Sequence, residues 1–283
     1  MTRSAIVRAS LGLLFTGALF VATPQLQPPQ LAISKVKDNL YVIEGDGGNT
    51  GVFVTGEGVI LVDDKYARDV EYILEKVKSV TNQPIKYLLN THHHGDHTGG
   101  NEKMLAQNIE IVAHRNARQN IVDKKQPGPG RLTFSDEFEV NLGGKVVRAR
   151  YFGRAHTNGD AVVYFPELKT VHMGDMFVRQ APLIDYASGG TAIEWTKTID
   201  AVLALDFDTV IPGHGAVCTR AELIAWRNSV AELRDRMTSL SRKHDKAEDA
   251  VAQLKIEDFG WTSNPAILKR FEGLYTEMRS IAK

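Results

Sequence analysis

The sequence predicts an α/β domain with two sheet-rich halves, helices on the outside and a helical tail. Three observations lead to this prediction. Strand-like and helix-like segments alternate from Asn39 onwards, the loop KKQPGPGR separates two rounds of this alternation, and strand signals stop at Ala221. The composition, 43% hydrophobic and 24% charged over 283 residues, is that of a globular protein with a sizeable core.

The amino terminus has the layout of a secretory signal. Arg3 and Arg8 precede an apolar run from Ala9 to Ala22, and the polar stretch TPQLQPPQ follows. We therefore predict a signal and short polar linker over 1–30, a periplasmic or secreted protein, and a single domain over 31–283. An uncleaved amino-terminal anchor is the alternative.

The overall charge of the chain limits the classes of partner it can attract. The chain has 34 basic and 34 acidic residues, so its overall field would not attract nucleic acid or an anionic membrane. We expect no nucleic-acid partner and no stable membrane partner once the signal is removed.

Cys218 is the only cysteine, so the chain cannot form an internal disulfide. A small buried side chain is its expected role.

The first half predicts two β-rich segments and then strands alternating with helices. NLYVIEG and GVFVTGEGVILVDD are β-branched and aromatic segments broken by glycine turns. ARDVEYILEKVKSVT has apolar residues on one helical face, at Val70, Ile73, Leu74 and Val77. IKYLLNTH then predicts a strand, NEKMLAQN a helix, IEIVAH a strand and RNARQNIVDK a helix.

The second half predicts more strands and ends in helices. EFEVNL, KVVRARYF, AVVYF, KTVHM and DTVIPGHG are strand-like, and IEWTKTIDAVLAL is an amphipathic helix candidate. Helical tail segments are expected at roughly 220–243, 246–255 and 264–282.

The stretch NTHHHGDHTGG concentrates metal-binding side chains at the end of a predicted strand. In an extended segment His92 and His94 project to one side and His93 to the other. Asp96 and His97 follow a turn and can face the same cavity. Imidazoles with a carboxylate are the ligands preferred by zinc and its first-row neighbours. Four donors from one loop predict two adjacent metal ions.

Three further donors end later strand-like runs. GRAHTNGD contains His156, VHMGDMF contains Asp175 and VIPGHGA contains His214. Glycine or small polar residues flank each of them, as suits tight loops at the mouth of a sheet. These loops could therefore converge on the histidine cluster.

HHHGDH followed by these three donors resembles the metallo-β-lactamase superfamily, whose pattern is H-x-H-x-D-H, then His, Asp and His. The resemblance covers residues 36–218. It implies an αββα four-layer sandwich with a dinuclear site on one edge of the two sheets, here with a helical C-terminal tail. It also implies two Zn²⁺ per chain, with Fe or Mn as open alternatives.

The resemblance also implies a role for each ligand. The first metal would be held by His92, His94 and His156, the second by Asp96, His97 and His214, with Asp175 bridging them. A hydroxide between the metals would be the nucleophile. Asp96 is also a candidate catalytic proton carrier. Asp63 would orient a histidine ligand from outside the metal shell.

These residues predict a metallo-hydrolase with a small-molecule substrate, a cyclic amide or ester such as a β-lactam or lactone, or a related small ester. The familiar zinc β-lactamases have Cys or Ser where this chain has Asp175, and Asp resembles the thioesterase, lactonase and phosphodiesterase branches. A thioesterase, a phosphodiesterase and a non-catalytic periplasmic metal-binding accessory protein remain alternatives. The loops GDGGNT and KKQPGPGR are expected to border the substrate cleft.

Overall fold

A computed structural model describes residues 30–281 of the chain. The predicted signal lies outside these residues, except for residue 30. Within 30–281, no helix is both long enough and apolar enough to cross a bilayer.

Thirteen strands in the described residues form two sheets. The first sheet has the order β1-β2-β3-β4-β5-β6-β7, antiparallel up to β4 and parallel from β4 onwards. The second has the order β13-β12-β11-β10-β9-β8, antiparallel except for the β11–β12 pair. The strands are β1 Ala32–Lys37, β2 Leu40–Glu44, β3 Thr50–Val54, β4 Val59–Val62, β5 Ile85–Asn90, β6 Glu110–His114, β7 Leu132–Phe134, β8 Glu137–Leu142, β9 Lys145–Tyr151, β10 Ala161–Phe165, β11 Thr170–His172, β12 Thr209–Ile211 and β13 Cys218–Thr219.

Helices join the parallel strands and then continue into the tail. Parallel neighbours need a crossover connection, which α1, α3, α4 and α5 supply. The long helix α6 begins where Thr219 and Glu222 form a capping box. The helices are α1 Val70–Val80, α2 Gly95–Thr98, α3 Asn101–Leu105, α4 Arg115–Asp123, α5 Ala192–Val202, α6 Arg220–Lys243, α7 Ala247–Val251, α8 Pro265–Lys269 and α9 Glu272–Ile281.

Successive side chains of a strand face opposite sides of its sheet, and this places neighbouring residues in different layers of the core. Leu61 and Leu88 pack in one apolar cluster with α1, whereas their neighbours Val62 and Leu89 pack in a second cluster between the sheets. A third cluster joins the outer face of the second sheet to α5, α6 and the tail, with Trp195 fully buried in it. The order of layers is helix, sheet, sheet, helix, which confirms the predicted αββα sandwich and its helical tail.

The differences from the predicted elements are local. The tail segment expected over 264–282 is two helices, because short-range bonds from Arg270 to Ile267 and from Phe271 to Leu268 tighten and end α8. The segment expected over 246–255 is helical only over Ala247–Val251. The sequence does not predict strands β1, β7 and β13: β1 is an edge strand with no buried residue, and the other two are very short.

Replacing Trp195 with Ala should destabilise the fold strongly. The indole is 0% exposed, its Nε1 donates to the Met176 carbonyl at 2.8 Å, and its ring packs 5.9 Å from that of Trp226. We expect a loss of about 3–5 kcal/mol in the free energy of unfolding, measured by urea denaturation. Ile193→Ala on the same helix, at a side chain 41% exposed, is the control and should change it by at most about 0.5 kcal/mol. Equal losses in both variants would contradict the proposed core.

Candidate metal centre

The seven predicted ligands lie together at one edge of the two sheets. The loop after β5 carries four of them, and the loops that precede β10, follow β11 and follow β12 carry one each. Their ligand atoms fall into two compact groups. The first is His92, His94, His156 and Asp175, and the second is Asp96, His97 and His214.

In the first group the ring nitrogens face one another. His94 Nδ1 lies 3.2 Å from His92 Nε2 and 2.9 Å from His156 Nε2. The Oδ2 atom of Asp175 is 3.7 Å from His156 Nε2. Three imidazole nitrogens and a carboxylate oxygen at this spacing are a donor set suited to a first-row divalent cation.

The second group shares Asp175 with the first. His214 Nε2 lies 3.2 Å from Asp96 Oδ2 and 3.3 Å from His97 Nε2. The Oδ1 atom of Asp175 lies 3.2 Å from His97 Nε2 and 3.3 Å from His214 Nε2. One carboxylate therefore faces both groups, as expected of the bridging ligand that the family resemblance implies.

The turn expected after His94 is a short helix. His94 has an extended backbone, and α2 starts at Gly95. The backbone N–H of His97 donates to the His94 carbonyl at 3.0 Å. This change of direction brings Asp96 and His97 to the second group while His92 and His94 stay with the first.

Most of the ligand histidines have a partner outside the cluster that fixes which nitrogen faces inward. Asp63 Oδ2 lies 2.8 Å from His97 Nδ1, so the orienting contact expected of Asp63 is present. His156 Nδ1 donates to the Leu183 carbonyl at 2.6 Å. His92 Nδ1 lies 3.0 Å from the hydroxyl of Thr91, which also donates to Asp63.

Asp185 contacts the cluster and was not singled out in the sequence. Its Oδ2 lies 2.9 Å from His94 Nε2, and its side chain accepts from the backbone of Ser188. The DYAS turn indicates a capping aspartate. Only the fold brings that carboxylate beside His94, 91 positions away.

His93 belongs to neither of the two ligand groups. Its side chain is fully buried, and its Nε2 lies 3.2 Å from Ser188 Oγ. His93, His94 and Asp185 also form a compact group. The 2.9 Å contact between His94 and Asp185 is that of a hydrogen bond, which is the partner His94 needs when its Nδ1 faces a metal.

Asn49 is a second residue whose contribution was missed. Its backbone N–H donates to the Gly213 carbonyl at 2.7 Å. Its side-chain amide donates to the carbonyls of Pro212 and Gly215 at 2.9 and 2.8 Å. The GDGGNT loop thus holds the loop that carries His214.

The electrostatics of the cluster favour a bound cation. Because His97 Nδ1 donates to Asp63, a neutral His97 presents the lone pair of Nε2 to His214 and Asp175. Asp175 Oδ1 is buried and meets neither ring with hydrogen-bond geometry, although both are within 3.3 Å. Lone pairs that converge in this way repel one another unless a positive charge lies between them.

The pKa shifts show the same demand for positive charge. Burial opposes protonation of His97, but the carboxylates of Asp175 and Asp63 outweigh it and raise its pKa well above the usual range. Burial likewise opposes the charge on His214, whereas Asp175 and Asp96 raise the pKa of His214 to about 9. For Asp175, burial opposes ionisation but His97 keeps its pKa well below the usual range. The histidine–aspartate cluster is able to bind metal ions, which would replace these protons.

Replacing Gly48 with Ala should displace a ligand ring. A Cβ at Gly48 would lie 2.1 Å from His97 Cε1, so the ring could not keep its position. We expect Zn²⁺ affinity, measured by competition with a chelator, to fall by about 10- to 100-fold. Gly56→Ala is the control. A Cβ at Gly56 meets nothing within 4 Å, so the Zn²⁺ affinity of this variant should match that of the wild type. Unchanged affinity in Gly48→Ala would contradict the assigned position of His97.

Similarity to known proteins agrees with this geometry. The family model described as the metallo-beta-lactamase superfamily matches residues 43–214. The 2,4-dinitroanisole O-demethylase subunit alpha of Nocardioides sp. (strain JS1661) is 27% identical over 205 residues, which cover 70% of this chain and 61% of that protein. The chain thus spans about three fifths of this relative. Metallo-beta-lactamase type 2 of Elizabethkingia meningoseptica is 26% identical over 207 residues, covering 66% of this chain and 80% of the relative.

The fold is also shared with a solved structure, that of the DIM-1 metallo-beta-lactamase. It superimposes with a TM-score of 0.64 at 24% identity, covering 72% of this chain and 98% of that one. The family model covers more than half of the chain. The chain therefore belongs to the metallo-beta-lactamase superfamily and is a metallo-hydrolase.

Proposed function

We propose that this protein is a zinc-dependent hydrolase that cleaves a cyclic amide or ester, a β-lactam or a lactone, or a related small ester, with two Zn²⁺ per chain. The observation that carries the proposal is the position of Asp175, whose carboxylate faces both groups of ligands. A carboxylate in this position could bridge two adjacent cations. The similarity to metallo-beta-lactamase type 2 supports a cyclic amide as one substrate class.

The residues present fit this chemistry. Two bound zinc ions would polarise the scissile carbonyl and lower the pKa of a water molecule from about 15.7 towards about 7. Asp63, Leu183 and Asp185 hold three of the imidazole rings in the orientation that directs one nitrogen inward. The preorganised rings would then need little rearrangement on metal binding.

Asp96 is placed to move a proton. Its side chain is 24% exposed, so it lies between the buried ligands and solvent. Burial raises its pKa, but the nearby His214 and His97 together outweigh burial and lower the pKa, so the carboxylate is ionised at neutral pH. We propose that Asp96 accepts a proton during attack and returns it to the leaving group.

Asp175 bears on the choice of substrate. The carboxylate is a harder ligand than the thiolate of many zinc β-lactamases, and it also suits Mn or Fe. Because Asp at this position resembles the thioesterase and phosphodiesterase branches, a thioesterase or a phosphodiesterase of the same fold is the second candidate function. We further propose export to the periplasm or medium, from the basic and apolar amino terminus alone.

A substrate panel tests the proposed function. Zinc-loaded protein should hydrolyse nitrocefin or a homoserine lactone, and treatment with a chelator should abolish turnover. Lactoylglutathione and bis-p-nitrophenyl phosphate test the second candidate. Turnover of either one alone would overturn the cyclic substrate in favour of a thioesterase or a phosphodiesterase. Two bound zinc ions with no turnover on any of these substrates would favour the metal-binding accessory protein instead.

Replacing Asp96 with Asn should separate proton transfer from metal binding. The amide keeps an oxygen where the carboxylate lies but cannot accept a proton at neutral pH. We expect kcat to fall by about 10²- to 10⁴-fold while the zinc content measured by atomic absorption stays above one ion per chain. Asp38→Asn, at a surface carboxylate paired with Lys35, is the control and should keep full activity. Retained kcat in Asp96→Asn would exclude this role.

A further inference from the structure

The segment 183–192 orients two ligands of the first group. The Leu183 carbonyl accepts from His156 Nδ1 at 2.6 Å, and Asp185 Oδ2 lies 2.9 Å from His94 Nε2. The backbone N–H of Asp185 also donates to the His156 carbonyl at 2.9 Å. A shift of this segment would therefore move the hydrogen-bond partners of both rings at once.

The same segment is fastened to the last helix of the described chain. The carboxylate of Glu277 in α9 accepts from the Tyr186 hydroxyl at 2.9 Å and from the Ala192 backbone N–H at 3.0 Å. It also accepts from the Thr191 hydroxyl. One side chain thus accepts hydrogen bonds from three residues of the segment: Tyr186, Thr191 and Ala192. Bonds to a charged acceptor are stronger than those between neutral groups.

Packing reinforces this contact. The ring of Tyr186 lies against Gly273, one turn before Glu277, where a Cβ would come within 2.5 Å of the ring. Burial and the charge of Glu277 raise the pKa of the Tyr186 hydroxyl, so the hydroxyl stays protonated and donates. The helix itself is anchored in the apolar cluster by Leu274 and Met278, both fully buried.

We propose that Glu277 is a positioning residue for the metal centre, acting from the C-terminal helix through segment 183–192 on His94 and His156. Loss of its carboxylate leaves three donors without their acceptor and frees the segment to move. Asp185 then no longer holds His94 at the angle that points Nδ1 inward. This inference rests on the metal binding proposed above and is independent of the substrate.

Metal affinity, rather than turnover, is the direct test. For Glu277→Ala we expect Zn²⁺ affinity, measured by chelator competition, to weaken by about tenfold, the lower end of the range for residues outside the metal shell. The visible absorption spectrum of the Co²⁺-substituted protein should change, because it reports ligand geometry. Glu277→Gln keeps one acceptor oxygen and should recover part of the affinity.

Arg279→Ala is the matched control for a loosened tail. Arg279 also lies in α9, but it donates to the Ser241 and His244 carbonyls and pairs with Asp245, all at the end of α6 and just beyond it. It should lower thermal stability without changing Zn²⁺ affinity or the Co²⁺ spectrum. An equal loss of affinity in Arg279→Ala and Glu277→Ala would overturn the proposal, because general loosening would then explain both.

A double variant tests the route through Asp185. If Glu277 acts through Asp185, adding Glu277→Ala to Asp185→Ala should weaken affinity less than it does in the wild type. Additive losses would overturn that route. Should Glu277→Ala fail to fold, Tyr186→Phe removes one of the three donors and should weaken affinity by about two- to threefold, since less of the hydrogen bonding is lost.

The outcomes separate this inference from the proposed function. A wild-type protein that binds no Zn²⁺ would overturn both. Wild-type binding of Zn²⁺ together with wild-type affinity in Glu277→Ala and Tyr186→Phe would overturn the role of Glu277 alone.

Discussion

The carboxylate of Asp175 is the contact on which the site depends. Its Oδ1 faces His97, carried by the first sheet, and His214, carried by the second, and its Oδ2 faces His156. These distances hold only if the two sheets meet at one edge in a fixed relation. The apolar layer between the sheets sets that relation. Asn49, in the loop before β3 of the first sheet, also donates hydrogen bonds to the loop after β12 of the second sheet.

Local patterns predict most of the strands and helices and the cluster of donors, whereas the sandwich and the role of each ligand are what the family resemblance implies. Alternating apolar residues identify most of the strands, and HHHGDH puts four donors at the end of one of them. Asp185 and Asn49 could not be found in this way. Asp185 lies 91 positions from His94 and Asn49 lies 163 from Pro212, so no local pattern relates the partners. Their side chains are also ordinary for the polar turns in which they lie.

The helical tail also makes a contact that the sequence pattern does not predict. Helical periodicity predicts that α9 packs by an apolar face, and Leu274 and Met278 do so. The pattern assigns Glu277 to the polar side of the helix, where a carboxylate usually faces water. Here three donors from segment 183–192 meet it, so a polar position contributes to the fold over a separation of up to 91 residues. Such contacts follow from the packing of the tail against the second sheet, which only the folded chain defines.

The charge of the cluster is the reason for proposing two cations rather than one. Four carboxylates contact the ligand histidines: Asp63, Asp96, Asp175 and Asp185. With neutral imidazoles they carry four negative charges, and uncompensated charge is costly at a buried site. One divalent ion would neutralise only half of that charge. Without metal, the carboxylates raise the pKa values of His97 and His214, so that these rings take up protons. Two divalent ions would balance the four carboxylates and leave every imidazole neutral, which is the form that ligates metal.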